Sequence, residues 1–396
     1  MRKPYTHGRV SNTRRVFLEY DLSTEGESPA SIIAKFPLQT DASLFKGKVN
    51  IGKVARLFES EVKFYQNAPD MDFLPKVYYS EIDTSQDFSI LMEDCSTIKL
   101  CAEEGDENKI AQSMSVDQAK KALSKFACFH AKYYHLRGHD LKERNIKQGN
   151  GSKFLQEKGW GWVPEKFART YSGMQIISSE DESKIFGGYC EENVQFMQKK
   201  IQELWDKLLP FFLDIDFTEM GYGDLEIPKK LQDMQENKTK MVQDYGASWK
   251  YLVEEAPVTL NHGDCGKDNM IFSKDDQQLK VFDWQTICVS NGFYDVVYLI
   301  YMSLTPRDII QNEKHLIQVY LMELQKEGIT LITEEDGQKM FRAALLWFLG
   351  MTLGFSLLIS SIPKEQRLAG YSQKTIVKKC MDCIVAIASS KFISND

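Results

Sequence analysis

The sequence predicts an α+β fold in two lobes: a small strand-rich lobe over residues 1–95 and a large, mostly helical lobe over residues 96–396. Three observations predict it. Short apolar-alternating runs dominate the first hundred residues, with one helical pattern among them. Helical spacing takes over after about residue 96 and persists almost to the end. Within that helical half, the stretch NHGDCGKDNMIFSKDDQQLKVFDWQ at 261–285 sets two apolar runs on either side of a charged turn, which reads as a hairpin.

The elements follow in order. RRVFLEYDL alternates as a strand does, and PASIIAKFPL is a β-branched run after a turn at Gly26 to Pro29. KVARLFESEVKFYQNAP repeats Val54, Leu57, Phe58, Val62 and Phe64–Tyr65 at roughly helical spacing and is followed by Pro69. KVYYSEID and FSILMEDC read as two further strands about the polar turn TSQD. VDQAKKALSKFACFHAKYYH is a long amphipathic helix with Asp117 near its positive end. The segment 140–190 is irregular and carries Gly and Trp. ENVQFMQKKIQELWDKLLPFFLDI is expected to be helical up to Pro210, and IPKKLQDMQENKTKMVQDYGASWKYLVEEA to be helical again. Helices near 307–326, 334–362 and 373–391 close the chain.

Composition bounds the function. Apolar residues make up 43% and charged residues 27% of 396, so a sizeable core can form. The net charge of −7, with no basic tract, argues against a nucleic-acid partner. The eight cysteines show no disulfide framework, and the first ten residues lack the apolar run of a signal peptide, so a cytoplasmic location with free thiols is expected. Cys380 and Cys383 form a CxxC without a second pair; at helical spacing they read as packing residues. Residues 343–362 carry no charge. They read as a buried helix, with a membrane span as the alternative.

Within 261–285, His262-x-Asp264-x-x-x-x-Asn269 and the later Asp283 supply two carboxylates and an amide. Phosphoryl transfer needs such groups: one carboxylate facing an acceptor hydroxyl, and oxygen donors for Mg²⁺, a hard cation. A hairpin would return Asp283 beside Asn269. Asp264 is thus the expected catalytic base, Asn269 and Asp283 the expected metal ligands, and His262 a brace for the loop. A polar turn that satisfies its own backbone is the alternative. Asp268, Asp275 and Asp276 are expected to be solvated, and Lys267 to lie at the surface, with reach to a phosphate as the alternative.

HGDxxxxN followed by FDWQ and GFYDVVYLI resembles the CHK, or ecdysteroid kinase-like, branch of the aminoglycoside-phosphotransferase and choline-kinase superfamily. The resemblance implies a protein kinase-like bilobal fold, ATP and Mg²⁺ as cofactors, and a small-molecule hydroxyl as acceptor. By the same resemblance, Lys35 in IIAKFP contacts nucleotide phosphates and Glu61 in ESEVKFYQ pairs with it, with Glu59 as the competing partner. Glu93 and Cys95 in ILMEDC would present a backbone C=O and N–H to adenine. Asp295 matches a structural aspartate that opens a helix, and His130 in FACFHAKYY a residue that braces the core. The family's glycine loop has its counterpart in Gly8 to Thr13, where backbone N–H groups from Ser11 onward would cradle phosphate. The motif match is strong at 259–300, fair at 30–100 and poor at 140–250. Trp160, Trp162 and the acidic residues Glu180, Asp181, Glu182, Glu191 and Glu192 fall in or near the poorly matched part, where an acceptor pocket is expected. A nucleotide-binding scaffold without turnover is the alternative function.

Overall fold

The computed structural model describes residues 11–20, 29–37, 51–83, 87–95, 113–135, 160, 162, 163, 191–273, 275–360 and 371–390. Glu180, Asp181 and Glu182 lie outside them. The chain divides into two units, one of residues 1–104 with 268–287, the other of 105–267 with 288–396. This division assigns the hairpin to the first unit.

In the first unit, β1 (Ser11–Phe17), β2 (Ser31–Pro37), β3 (Val77–Ile82) and β4 (Phe88–Glu93) form an antiparallel sheet in the order β1-β2-β4-β3. The two central strands bury alternate residues, as period-two patterning requires: Ile32 and Ala34 in β2, Phe88, Ile90 and Met92 in β4. Helix α1 (Ile51–Asn67) contributes Phe58, Val62, Phe64 and Tyr65 to the core, and Phe58 stacks on Phe88 with centroids 4.2 Å apart. The edge strand β1 leaves Val16 and Phe17 exposed. The short strands β6 (Met270–Phe272) and β7 (Leu279–Val281) pair as the expected hairpin, with Met270 opposite Val281. Its turn is closed by Asp275, whose carboxylate accepts from the Ser273 hydroxyl and the Gln277 N–H. Val281 N–H donates to the Phe73 carbonyl, and Trp284 stacks flat on Phe64 at 4.0 Å, so the hairpin is fastened to the unit containing α1.

The second unit is mostly helical: α2 (Val116–Lys132), α3 (Glu191–Leu213), α4 (Ile227–Glu236), α5 (Lys238–Glu254), α6 (Phe293–Ser303), α7 (Pro306–Lys326), α8 (Glu334–Ser360) and α9 (Tyr371–Ser389). Strands β5 (Thr259–Asn261) and β8 (Cys288–Ser290) pair within it. Ser115 and Gln118 form a reciprocal capping box at the start of α2, and Thr305 caps α7 ahead of Pro306.

Two helical expectations are corrected. Helix α3 continues through Pro210 to Leu213, since a proline one turn from the end removes a single backbone bond while Leu208 and Phe212 gain burial. The next helical stretch is two helices, broken at Asn237, whose side chain turns back to the Asp233 carbonyl. The uncharged run from 343 lies in α8, with Ala343 to Leu349 and Leu353 buried in the unit. No helix among the described residues is long and apolar enough to cross a membrane. Cys380 and Cys383 are buried on α9 as packing residues, and Trp160 is buried against Tyr133. The α+β class and the division into strand-rich and helical units agree with the sequence.

Candidate functional site

Chemistry-bearing residues gather at two places, one in each unit. In the first unit, β2 is central, so Lys35 has strand neighbours on both sides, Thr13 and Ile90. Its side chain is nearly buried, and its Nζ lies 2.6 Å from Glu61 Oε2 and 2.6 Å from Asp283 Oδ1. Glu61 is fully buried on α1. Glu59, the competing partner, instead binds Lys63 one turn on. Asp283 sits just beyond β7 in a left-handed conformation, φ 66°, at the head of the single turn Trp284–Thr286. Its second oxygen receives Gln285 Nε2 at 3.3 Å.

The electrostatics of this cluster follow from burial. Burial opposes the charge on Lys35, but Glu61 and Asp283 outweigh it and raise its pKa above the ordinary lysine range. Glu61 is pushed up to about 7, because complete burial exceeds the attraction of Lys35 and the Asp283 charge adds to it. Tyr65, beside them, is pushed well up by burial and then by the same two carboxylates.

Asn269 stands at the entry to β6, and its carbonyl accepts the Phe282 N–H at 3.1 Å. The hairpin thus carries Asp283 to the position next to the residue bonded to Asn269. Carboxylate and amide oxygens suit a hard divalent cation that completes its shell with water or phosphate oxygens. Among the described residues no group of three His, Cys, Asp or Glu side chains offers a metal cage.

Glu93 ends β4, where its N–H donates to the Lys76 carbonyl. Its carboxylate receives the Lys76 N–H at 3.1 Å and lies 3.4 Å from Lys280 Nζ. Cys95 is buried, and burial followed by the Glu93 charge pushes its thiol up to about 12. Ser11 is the first residue of β1, opposite Pro37, with Asn12 opposite Phe36 and Thr13 opposite Lys35. Ser11 to Thr13 thus lie on the edge strand of the sheet, where antiparallel pairing takes up alternate N–H groups and leaves the others facing away from β2. Gly8 to Val10 lie outside the described residues.

In the second unit, the loop after β5 is gripped by α6. The Asp295 carboxylate accepts the backbone N–H of His262 at 2.6 Å and of Gly263 at 2.9 Å, and His130 Nε2 lies 3.4 Å away. Burial would raise the Asp295 pKa, but His130 first, then His262 and the Gly263 N–H, lower it below the ordinary value. Gly263 has φ +86°, a conformation that glycine adopts without strain. His262 is buried, and its Nδ1 accepts the Asp264 N–H at 3.2 Å, in keeping with a bracing role. His130 Nδ1 lies 2.8 Å from the Tyr320 hydroxyl, deep in the core. Asp264 is half-buried, and Tyr298 donates its hydroxyl to Asp264 Oδ1 at 2.5 Å.

Two residues here escaped sequence reasoning. Lys267, expected at the surface, is 7% exposed, with its N–H on the Ser303 hydroxyl. Tyr298 reads from sequence as one more aromatic in an apolar helix. Its signal is the spacing of three from Asp295, which puts both on one helix face.

Comparison with known proteins adds a family-model match over part of the chain. The profile of the ecdysteroid kinase-like family matches residues 139–331. That span contains His262, Asp264, Asn269, Asp283, Asp295 and Tyr298, and it takes in the stretch 140–250 where the motif match is poor. No curated protein matches the chain. Among solved structures, the GDP complex of wild-type aminoglycoside 2'-phosphotransferase-IIIa is similar at 12% identity and a TM-score of 0.43, over 90% of this chain and 86% of that one. The Plasmodium vivax ethanolamine kinase Pv091845 is similar at 12% identity and 0.42, over 94% and 80%. A choline/ethanolamine kinase family protein from Mesorhizobium loti is similar at 10% identity and 0.38, over 90% and 86%. Over residues 139–331 the chain is thus similar to the ecdysteroid kinase-like family, the resemblance that its HGDxxxxN and FDWQ motifs carry.

Proposed function

We propose that the chain is an ATP-dependent phosphotransferase acting on a hydroxyl group of a small molecule. The observation that carries this reading is the meeting of Lys35, Glu61 and Asp283, drawn from three distant parts of the sequence, at 2.6 Å on either side of Lys35. A buried ammonium held between two carboxylates is a positioned cation, suited to bind phosphate oxygens once one partner is engaged elsewhere. Glu61 would hold Lys35 in place. Asn269 and Asp283 would hold Mg²⁺, which when bound neutralises charge on the phosphate groups. Asp264 would orient the acceptor hydroxyl and take up its proton. The Glu93 carbonyl and Cys95 N–H would meet the adenine edge.

The test is direct. Asp264→Asn, with its melting temperature near that of wild type, is expected to lose at least about 100-fold in phosphate transfer to the best acceptor of a metabolite library, as loss of a general base does. Undiminished turnover would remove Asp264 from the mechanism.

A second reading, nucleotide binding without acceptor turnover, draws on the contact between Lys35 and the proposed metal ligand Asp283. Thermal shift with ATP and Mg²⁺ but no transfer to any acceptor would favour it. No shift at all would count against both.

A further inference from the structure

The family motif brings Asp264 forward but says nothing of what holds its carboxylate. Three residues of α6 close on the three residues of the loop. The Tyr294 hydroxyl lies 3.2 Å from the Gly263 carbonyl, Asp295 accepts the N–H groups of His262 and Gly263, and Tyr298 donates to the Asp264 side chain. Backbone acceptor, backbone donors and functional carboxylate are each taken by one residue of a single helical turn and a half. Tyr298 is the member that touches the carboxylate itself. It packs beside a cluster of Leu252, Ala256, Tyr294, Ala343 and Trp347, with its ring edge-on to Phe348 at 6.0 Å, so the ring has little freedom.

We propose that Tyr298 is a positioning residue for Asp264, a fixed phenol donor that sets the plane of its carboxylate and keeps it ionised. The proposal rests on the reading of Asp264 as the base. A carboxylate with one oxygen fixed by a rigid donor loses its free rotation about the last side-chain bond. A hydrogen bond to the ionised form also favours that form. The donor does not give up its proton at working pH, because burial and then the Asp264 charge push the phenol well above its ordinary value. A purely structural tyrosine would contribute packing alone, and Tyr298→Phe would retain nearly all of that.

The experiment follows the Asp264 carboxyl carbon by 13C NMR in the full chain, its resonance identified by its disappearance in Asp264→Asn. In Tyr298→Phe the titration midpoint of that carbon is expected to rise by about one unit or more, the size of a lost hydrogen bond to a charged group. ADP release from Mg·ATP, with water as acceptor, should show its acidic limb displaced the same way, with kcat down about tenfold and KM for ATP within about twofold. Fluorotyrosine introduced at 298, a stronger donor of the same shape, should lower the midpoint, and it serves if the phenylalanine variant does not fold. A midpoint unmoved by either substitution overturns the proposal. Full turnover by Asp264→Asn overturns the reading beneath it. Loss of turnover in Asp264→Asn with an unchanged pH profile in Tyr298→Phe overturns the role of Tyr298 alone.

Discussion

Glu61 shows how much a single side chain's surroundings decide. It is buried completely, shares Lys35 with Asp283, and has its carboxyl raised from 4.5 to about 7. The folded chain therefore holds this proton more tightly than the unfolded chain between those pH values. The group's contribution to stability is full below about pH 4.5 and is lost as pH rises toward and through 7. Replacing it by Gln removes that dependence. The stability of Glu61→Gln relative to wild type is expected to rise from pH 5 to pH 8. Urea unfolding at both pH values measures it, and a difference that stays flat or falls would show that Lys35 keeps Glu61 ionised throughout. The pairing of Lys35 with Glu61 was readable from IIAKFP and ESEVKFYQ by resemblance. The raised proton affinity of Glu61 was not, because it depends on solvent exclusion that no local pattern records.

At the scale of elements, α6 does two things that its sequence does not separate. GFYDVVYLI is apolar nearly all round, as a core helix is, and Phe293, Val296, Val297, Leu299 and Ile300 are indeed buried. Its polar atoms Asp295, Tyr294 and Tyr298 hold the loop at 262–264. Asp295 was readable as a structural aspartate, but its partners were not, since backbone N–H groups carry no residue-type signature. Pro210 and Lys267 were misread for a similar reason: a rule for an isolated proline or lysine yields to the packing at that position. Asp295→Asn turns an amide donor toward one of two backbone donors in a site closed to water. The expected loss is about 2–4 kcal/mol, with faster amide hydrogen exchange at His262 and Gly263. Unfolding and exchange measurements on the same variant check both, and unchanged protection at those two amides would mean that the loop is held by other contacts.

At the scale of the whole molecule, the hairpin at 268–287 is the informative segment. Its strands and turn were readable from apolar runs about SKDDQQ, and Asn269 and Asp283 from the motif. Its membership of the first unit was not, because that depends on contacts with residues two hundred positions earlier. Those contacts are specific. Trp284, fully buried, covers Phe64; Val281 N–H is bonded to Phe73; Lys280 Nζ is bonded to the Leu74 carbonyl; and Asp283 completes the pairing of Lys35. By these contacts the hairpin supplies part of the packing of the stretch 1–104. Without the hairpin this stretch exposes Phe64, leaves the Phe73 and Leu74 carbonyls without these donors, and strips Lys35 of one of its two carboxylates. Removing the indole alone, in Trp284→Ala, is expected to destabilise this unit by about 3–5 kcal/mol, as a large aromatic lost from a core does. Residues 1–104 expressed alone are then expected to show no cooperative thermal transition, whereas the same stretch joined by a flexible linker to 268–287 should regain one. A cooperative transition from 1–104 alone would mean that the sheet and α1 suffice, and that the hairpin is held by this unit without helping to build it.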